Sequence, residues 1–272
     1  MSAIIETEPA VFPAELRRHV GLRETLSQTL TMAYRALIRL RRTPEQWADV
    51  LIMPFIFTFM FAYLFGGAIA GGVEAYLPML IPAIIVQGVV QASAVTGTQL
   101  REDMDTGVFD RFRSLPMARI APLAGALLTD TIRYAVITGL TMLVGMLIGW
   151  RPGGGWGILV ACLLVIITSW SVSWIWALLG VKARTAGTVQ GIAMLIIMPL
   201  TFFSNAFVPT STLPDWLRPV AEWNPVSHLI TAFRELANDG VWGVDVWWTL
   251  LGAAVIVAIF APLAVRAYMR KA

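Results

Sequence analysis

The sequence predicts an all-α, polytopic membrane protein with six transmembrane helices, an N-terminal helix in the membrane interface and a short charged helix on the aqueous side. Composition is the first reason: 57% of the residues are hydrophobic and 14% charged, against about 25% charged in soluble domains. The second is the length of the apolar runs. A hydrocarbon core of about 30 Å takes about 20 helical residues at 1.5 Å each. Six runs are long enough, near residues 48–70, 77–98, 126–149, 156–179, 187–208 and 246–266. The third is the distribution of positive charge. Threading the chain through those runs puts sixteen of the 20 Lys and Arg residues on one side and Arg151, Arg218 and Arg234 on the other, with Arg133 near a span end. Basic residues accumulate on the cytoplasmic side. Both termini and the central loop are therefore expected there, in a multi-pass protein of the cell membrane.

Residues 1–23 are polar and Pro-containing and read as a cytoplasmic tail, without the n-region, short h-region and cleavage site of a removable signal peptide. Residues 24–45 read as an amphipathic helix. Leu26, Leu30, Ala33, Leu37 and Leu40 share one side, and Gln28, Thr31, Arg35, Arg39 and Arg42 share the other. A basic face opposite a Leu-rich one suits a helix lying in the membrane interface. Thr43 and Pro44 open the turn into the bilayer, and residues 46–272 form the six-span domain.

Within that domain the first span offers an aromatic wall of Phe55, Phe57, Phe59 and Phe61, and later spans add scattered Gln87, Gln91 and Gln190. Phe55, Phe59, Gln87, Gln91 and Gln190 are the candidates for a cavity that takes a bulky amphipathic molecule. Gly66, Gly67, Gly71 and Gly72 make the first turn on the far side, and RPGGG at 151–155 makes the second. RPGGG is not a phosphate loop. GxxxxGK[ST] needs a lysine in that context, and the lysines, Lys182 and Lys271, stand elsewhere. Cys162, the single cysteine, sits in an apolar run and reads as a packing residue. His19 and His228 have no Cys or carboxylate cluster beside them, so no metal site is expected. Asp130 and Arg133 stand one helical turn apart near the start of the third span. The run from 134 to 150 is itself nearly long enough to cross, so the pair is expected to bond to each other at the cytoplasmic interface rather than relay ions.

Beyond the fifth span, Thr212 with Asp215 three residues on, and Asn224 before Pro225, are two helix-start signals. They predict two short helices within 212–238, the second running through Leu236 and stopped by Asn238, Asp239 and Gly240. Trp216 and Trp223 favour a site with one apolar and one wet side. The pair is placed half-embedded at the outer leaflet as a candidate lid.

The densest charge lies in REDMDTGVFDRFRSLPMAR, residues 101–119. Asp103, Asp105 and Asp110 alternate with Arg111 and Arg113. Phe109, Phe112 and Leu115, spaced by three, share one face of a short helix that Pro116 stops or kinks. Such a helix cannot lie in lipid; it sits at the membrane surface and presents a face to the aqueous side. The pattern DxxxGVFDRFRSLPMAR, then Leu-Ala-Gly at 123–125 and the Asp-x-x-Arg of Asp130 and Arg133, resembles the permease subunits of type-2 ABC exporters, of the daunorubicin-resistance kind. The resemblance extends over roughly residues 20–270, and NAFVPTSTLPDWLRPVAEWNPVSHLITAFREL is a second, looser match. Gly107 and Pro116 occupy the family's Gly and Pro, while Asp103 stands where many relatives have Glu.

That resemblance implies a coupling helix that docks on a separate cytoplasmic P-loop ATPase. Its docking residues would be Asp103, Gly107, Phe109, Asp110, Arg111, Phe112, Arg113, Leu115 and Pro116. It also implies ATP and magnesium on that partner and no cofactor on this chain. A second permease, identical or related, would complete the cavity among membrane lipids, with no nucleic acid involved. The cargo would be a drug, an antibiotic or a lipid taken from the cytoplasm or inner leaflet. Two other classes stay open. A proton-coupled secondary transporter needs ionisable residues at the membrane midplane and commonly inverted repeats; neither is evident. An intramembrane lipid-modifying enzyme needs paired Asp, Glu or His near one interface, and only Asp130 with Arg133 comes near that.

Overall fold

In lipid a chain must satisfy its own backbone N–H and C=O groups, and uninterrupted apolar runs do so as helices. The computed structural model describes residues 22–42, 44–107 and 120–271, and every regular element among them is helical. In order they are α1 (Leu22–Arg42), α2 (Pro44–Ala70), α3 (Val73–Ser93), α4 (Val95–Asp105), α5 (Ala121–Ile148), α6 (Gly157–Lys182), α7 (Ala186–Phe202), α8 (Arg218–Trp223), α9 (Pro225–Arg234) and α10 (Val244–Lys271). A 3-10 turn at Thr210–Thr212 precedes α8, and a π-helical turn at Glu235–Asp239 follows α9.

Among the described residues, four helices are long and apolar enough to cross a membrane: Val73–Asp105, which is α3 and α4 together, Ala121–Ile148, Gly157–Lys182 and Val244–Lys271. Ala186–Phe202, which is α7, is apolar but shorter, as is Pro54–Ala70, the described apolar part of the longer α2. The fifth run therefore ends earlier than its composition suggested. Apolar sequence continues to Val208, but the helix stops at Phe202 and the chain turns back, so that Phe207 stacks on Phe61 of α2 with ring centroids 4.3 Å apart.

α3 is the central element. Ile81, Pro82, Ala83, Ile84, Ile85 and Val86 are all buried, so this stretch is enclosed around its whole circumference, as expected of a helix surrounded by others. It breaks at Ala94, where three-residue bonds from Ala94 N to Gln91 O (3.2 Å) and Gly97 N to Ala94 O (3.1 Å) tighten the turn. α4 then runs against α6 at main-chain contact. A Cβ on Gly97 would lie 2.4 Å from Trp176 O, and one on Gly180 would lie 2.3 Å from Gly97 O. Small residues that admit such contact are the usual means of joining helices in lipid.

α1 lies across α5, where Ala33 is buried and Thr129 Oγ1 donates to Ala33 O at 3.2 Å. Leu26, Leu30 and Tyr34 of α1 face outward instead. On α10 the outward stripe is Trp247, Trp248, Leu251, Val255 and Ile259, an apolar face of the kind lipid covers.

Candidate functional site

Three polar groups stand out in this apolar chain, one at each end of the bundle and one between. The first is where α4 leads into residues 101–119. Arg101 Nε donates to Asp105 Oδ1, one turn on, at 2.9 Å, and Arg101 Nη1 donates to Ala183 O, just past α6, at 3.1 Å. Lys271, in the last turn of α10, donates to Val181 O. The carbonyls that a helix C-terminus leaves unpaired are thus capped by cations from α4 and α10, and these helix ends are tied together. Asp103 is half-buried here. Gly107 has φ +71, and no atom lies within 4 Å of where its Cβ would be. Conformation rather than crowding calls for glycine: it ends α4 in the left-handed region. Phe109, Asp110, Arg111, Phe112, Arg113, Leu115 and Pro116 lie outside the described residues, as does the tail before residue 22.

The second group surrounds the α3–α4 break. Arg133 Nη1 lies 2.8 Å from Asp130 Oδ1, and the two side chains are only 5% and 2% exposed. The mutual bond matches the expectation, but the pair is enclosed by helices. Thr96 Oγ1 donates to Asp130 Oδ2 at 2.5 Å, and Arg133 Nη2 reaches Gln99 Oε1 at 3.4 Å. On the other flank, Trp176 Nε1 donates to Ser93 Oγ at 3.0 Å. The break is therefore gripped from α5 and from α6.

The third group forms the opposite end. Asn224 Oδ1 accepts from Val226 N at 2.9 Å and caps α9, while its Nδ2 donates to Leu200 O at 2.7 Å and Phe203 O at 3.1 Å. One side chain thus closes the end of α7 and the start of α9. Arg234 Nη2 donates to Met79 O at 2.8 Å, Asn205 O at 3.0 Å and Ala206 O at 2.9 Å, and its Nε donates to Met79 O at 3.1 Å. Asn238 Nδ2 donates to Pro78 O at 3.0 Å and Asn238 Oδ1 accepts from Trp150 Nε1 at 3.0 Å. His228 Nδ1 lies 2.5 Å from Asp245 Oδ1, joining α9 to α10. Burial, then the charges of Asp245 and Asp239, push the Glu235 carboxyl above the ordinary carboxylate range.

The RPGGG turn proves to be a seat for this end. Gly154 N donates to Ala237 O at 2.9 Å, and a Cβ on Gly154 would lie 2.1 Å from Leu236 O. Thr212 corrects one expectation. Its hydroxyl donates to Pro209 O at 2.8 Å within the 3-10 turn, and α8 starts later, at Arg218, without a side-chain cap. Leu213, directly before Pro214, is extended, and Pro219 sits in the first turn of α8, where its missing N–H is unneeded. Trp216, just before α8, and Trp223, its last residue, are 72% and 83% exposed.

The cavity candidates are only partly gathered. Phe55 and Phe59 meet at a tilt with centroids 4.5 Å apart, and Phe59 stacks on Tyr63 at 5.6 Å. Phe55 is exposed and Phe59 half-buried; Gln87 is half-buried, Gln91 and Gln190 exposed. Among the described residues no hydrogen bond or ring contact joins the glutamines to the rings. A cleft of about 300 Å³ lies instead between the end of α7 and α8, lined by Pro199, Leu200, Phe203, Val220, Trp223 and Asn224. Sequence reasoning missed Arg234, Asn238 and Asn205. For Asn238 alone a signal was available in Pro82, four residues after Pro78: it has no N–H, so it leaves Pro78 O open to an outside donor.

Comparison with known proteins agrees with this layout. The family model described as ABC-2 type transporter matches residues 27–237. The daunorubicin resistance ABC transporter permease protein DrrB1 of Streptomyces coeruleorubidus is 45% identical over 249 residues, covering 90% of this chain and 87% of that one. The probable doxorubicin resistance ABC transporter permease protein DrrC of Mycobacterium tuberculosis is 26% identical over 200 residues, 65% of this chain and 66% of its own length. A putative transport permease, ycf38, of Porphyra purpurea is 22% identical over 150 residues, 54% of this chain and 51% of that one. With the family model spanning the core helices and such identity over nine-tenths of its length, this multi-pass chain belongs to the ABC-2 type transporter family.

Proposed function

We propose that the chain is the membrane subunit of an ATP-driven exporter that moves a bulky amphipathic molecule, of the drug or antibiotic kind, from the cytoplasm or inner leaflet. The observation that carries this reading is the identity, across nearly the whole chain, to a protein named for daunorubicin resistance. In this reading α2, α3 with α4, α5, α6, α7 and α10 make six spans in the plasma membrane with both termini cytoplasmic. Residues 101–119 dock on a cytoplasmic P-loop ATPase, which holds the ATP and magnesium. A second permease, identical or related, completes the cavity, which explains why Phe55, Phe59, Gln87, Gln91 and Gln190 do not enclose one within a single chain. Trp216 and Trp223 close it at the outer leaflet.

The ties at the first end suit such a role. Force applied beyond Gly107 is delivered to α4, and through Arg101 to the end of α6, rather than to a free loop. Neither rival class finds support in the buried carboxylate: Asp130 is already occupied by Arg133 and Thr96. The test is ATP-driven uptake of an anthracycline into inside-out vesicles carrying the chain with its co-expressed ATPase. Uptake is expected with both proteins and with neither alone. Equal uptake driven by a proton gradient without ATP sinks the exporter reading.

A further inference from the structure

α9 ends in a cation that pairs with no carboxylate among the described residues. The Arg234 guanidinium instead grips main-chain carbonyls in two separate elements, Met79 of α3 and Asn205 and Ala206 of the loop after α7. Charge-assisted bonds of this kind are the strong ones, and the planar fork of arginine is suited to holding several acceptors at once. They fall between the two prolines inside α3, Pro78 and Pro82. Pro82 removes the donor that Pro78 O would meet inside the helix, and Asn238 Nδ2 takes that acceptor. One turn earlier, Tyr76 OH donates to Phe207 O at 2.8 Å. The outer hairpin, α8 and α9 with the loop after α7, is thus strapped to a short stretch of α3, and the same α3 continues through the Ala94 break into α4, which ends at Gly107. The turn after Arg234 is π-helical, a form that collects at functional positions.

We propose that Arg234 is a positioning residue: it couples the outer hairpin to α3, so that displacement of α4 by the ATPase opens and shuts the outer end. The proposal rests on the exporter reading above. Lysine at this position keeps the charge but offers one nitrogen in place of the fork. Losing one charge-assisted bond shifts an equilibrium by about tenfold or more.

The test uses the complete complex with its ATPase, reconstituted in proteoliposomes. It carries Cys162→Ser and an environment-sensitive dye on Glu222→Cys, an exposed position of α8. With arginine at 234, ATP is expected to change the dye signal. With Arg234→Lys the complex should assemble and hydrolyse ATP, while the dye response disappears and anthracycline export per ATP falls about tenfold. A full dye response and unchanged export in Arg234→Lys would overturn the latch. So would loss of assembly and hydrolysis in Arg234→Lys together with full coupling in Asn238→Ser, which removes the neighbouring strap without touching the charge. If the unsubstituted complex shows no response to ATP, the exporter reading and the latch both fall; a responsive unsubstituted complex with a responsive Arg234→Lys removes the latch alone.

Discussion

At the scale of single residues, the buried ion pair makes the sharpest claim. Asp130 and Arg133 hold each other, and Thr96 takes the remaining carboxylate oxygen. Removing one member of a buried pair leaves the other charged and unpaired, which costs about 3–5 kcal/mol, whereas removing one hydroxyl costs about 1–3 kcal/mol. Asp130→Ala is therefore expected to lower the melting temperature of the detergent-purified protein clearly more than Thr96→Val. An Asp130→Ala protein that melts with the unsubstituted one would mean the pair holds nothing together. The pair itself was legible in the sequence because i, i+3 neighbours meet on any helix. Thr96 was not, since it reaches Asp130 across 34 positions of chain. Arg234 was legible only as one of three basic residues on the far side. What it binds, Met79 O, is 155 positions away and depends on how α3 and α9 pack.

At the scale of elements, helix ends explain which start signals held. Asn224 before Pro225 worked as a cap because the chain after it continues as helix and the missing N–H of proline is unneeded at that position. Thr212 offered the same chemistry, but Leu213 before Pro214 is extended and Thr212 closes a 3-10 turn instead. Asn224→Ala should cost about 0.5–2 kcal/mol for the cap alone, and more because the carbonyls of Leu200 and Phe203 lose their donor. Thr212→Ala, on an exposed turn, should be close to neutral. Limited proteolysis of the outer hairpin checks the order; faster cleavage in Thr212→Ala than in Asn224→Ala would reverse it. Composition alone fixed the spans less well than the caps. Apolar residues past Phe202 belong to a returning loop, because hydrophobicity reports burial and not helical continuity.

At the scale of the whole molecule, the two ends differ in kind. One gathers Arg101, Lys271 and the exits of α4, α6 and α10; the other gathers the hairpin, the RPGGG seat and the tryptophans. With the first end cytoplasmic, a cysteine at Trp156, exposed beside the seat, should react with an impermeant thiol reagent in intact cells, and one at Thr106, exposed beyond α4, only after permeabilisation. Gly154 is no place for the probe, since its Cβ would lie 2.1 Å from Leu236 O. The opposite labelling would invert the topology and remove the docking segment from the ATPase. The central claim is that this chain carries no engine and is driven through residues 101–119. In this proposal Phe112 is an apolar anchor, and Gly107, at φ +71, ends α4 just before it. Truncating an anchor costs on the order of 2 kcal/mol, about thirtyfold in affinity. The decisive measurement is therefore co-purification of the co-expressed ATPase with Phe112→Ala and Gly107→Val, at matched membrane levels, alongside export. Docking through this segment predicts that both variants insert normally and lose ATPase capture and export together. Undiminished capture with normal export contradicts it.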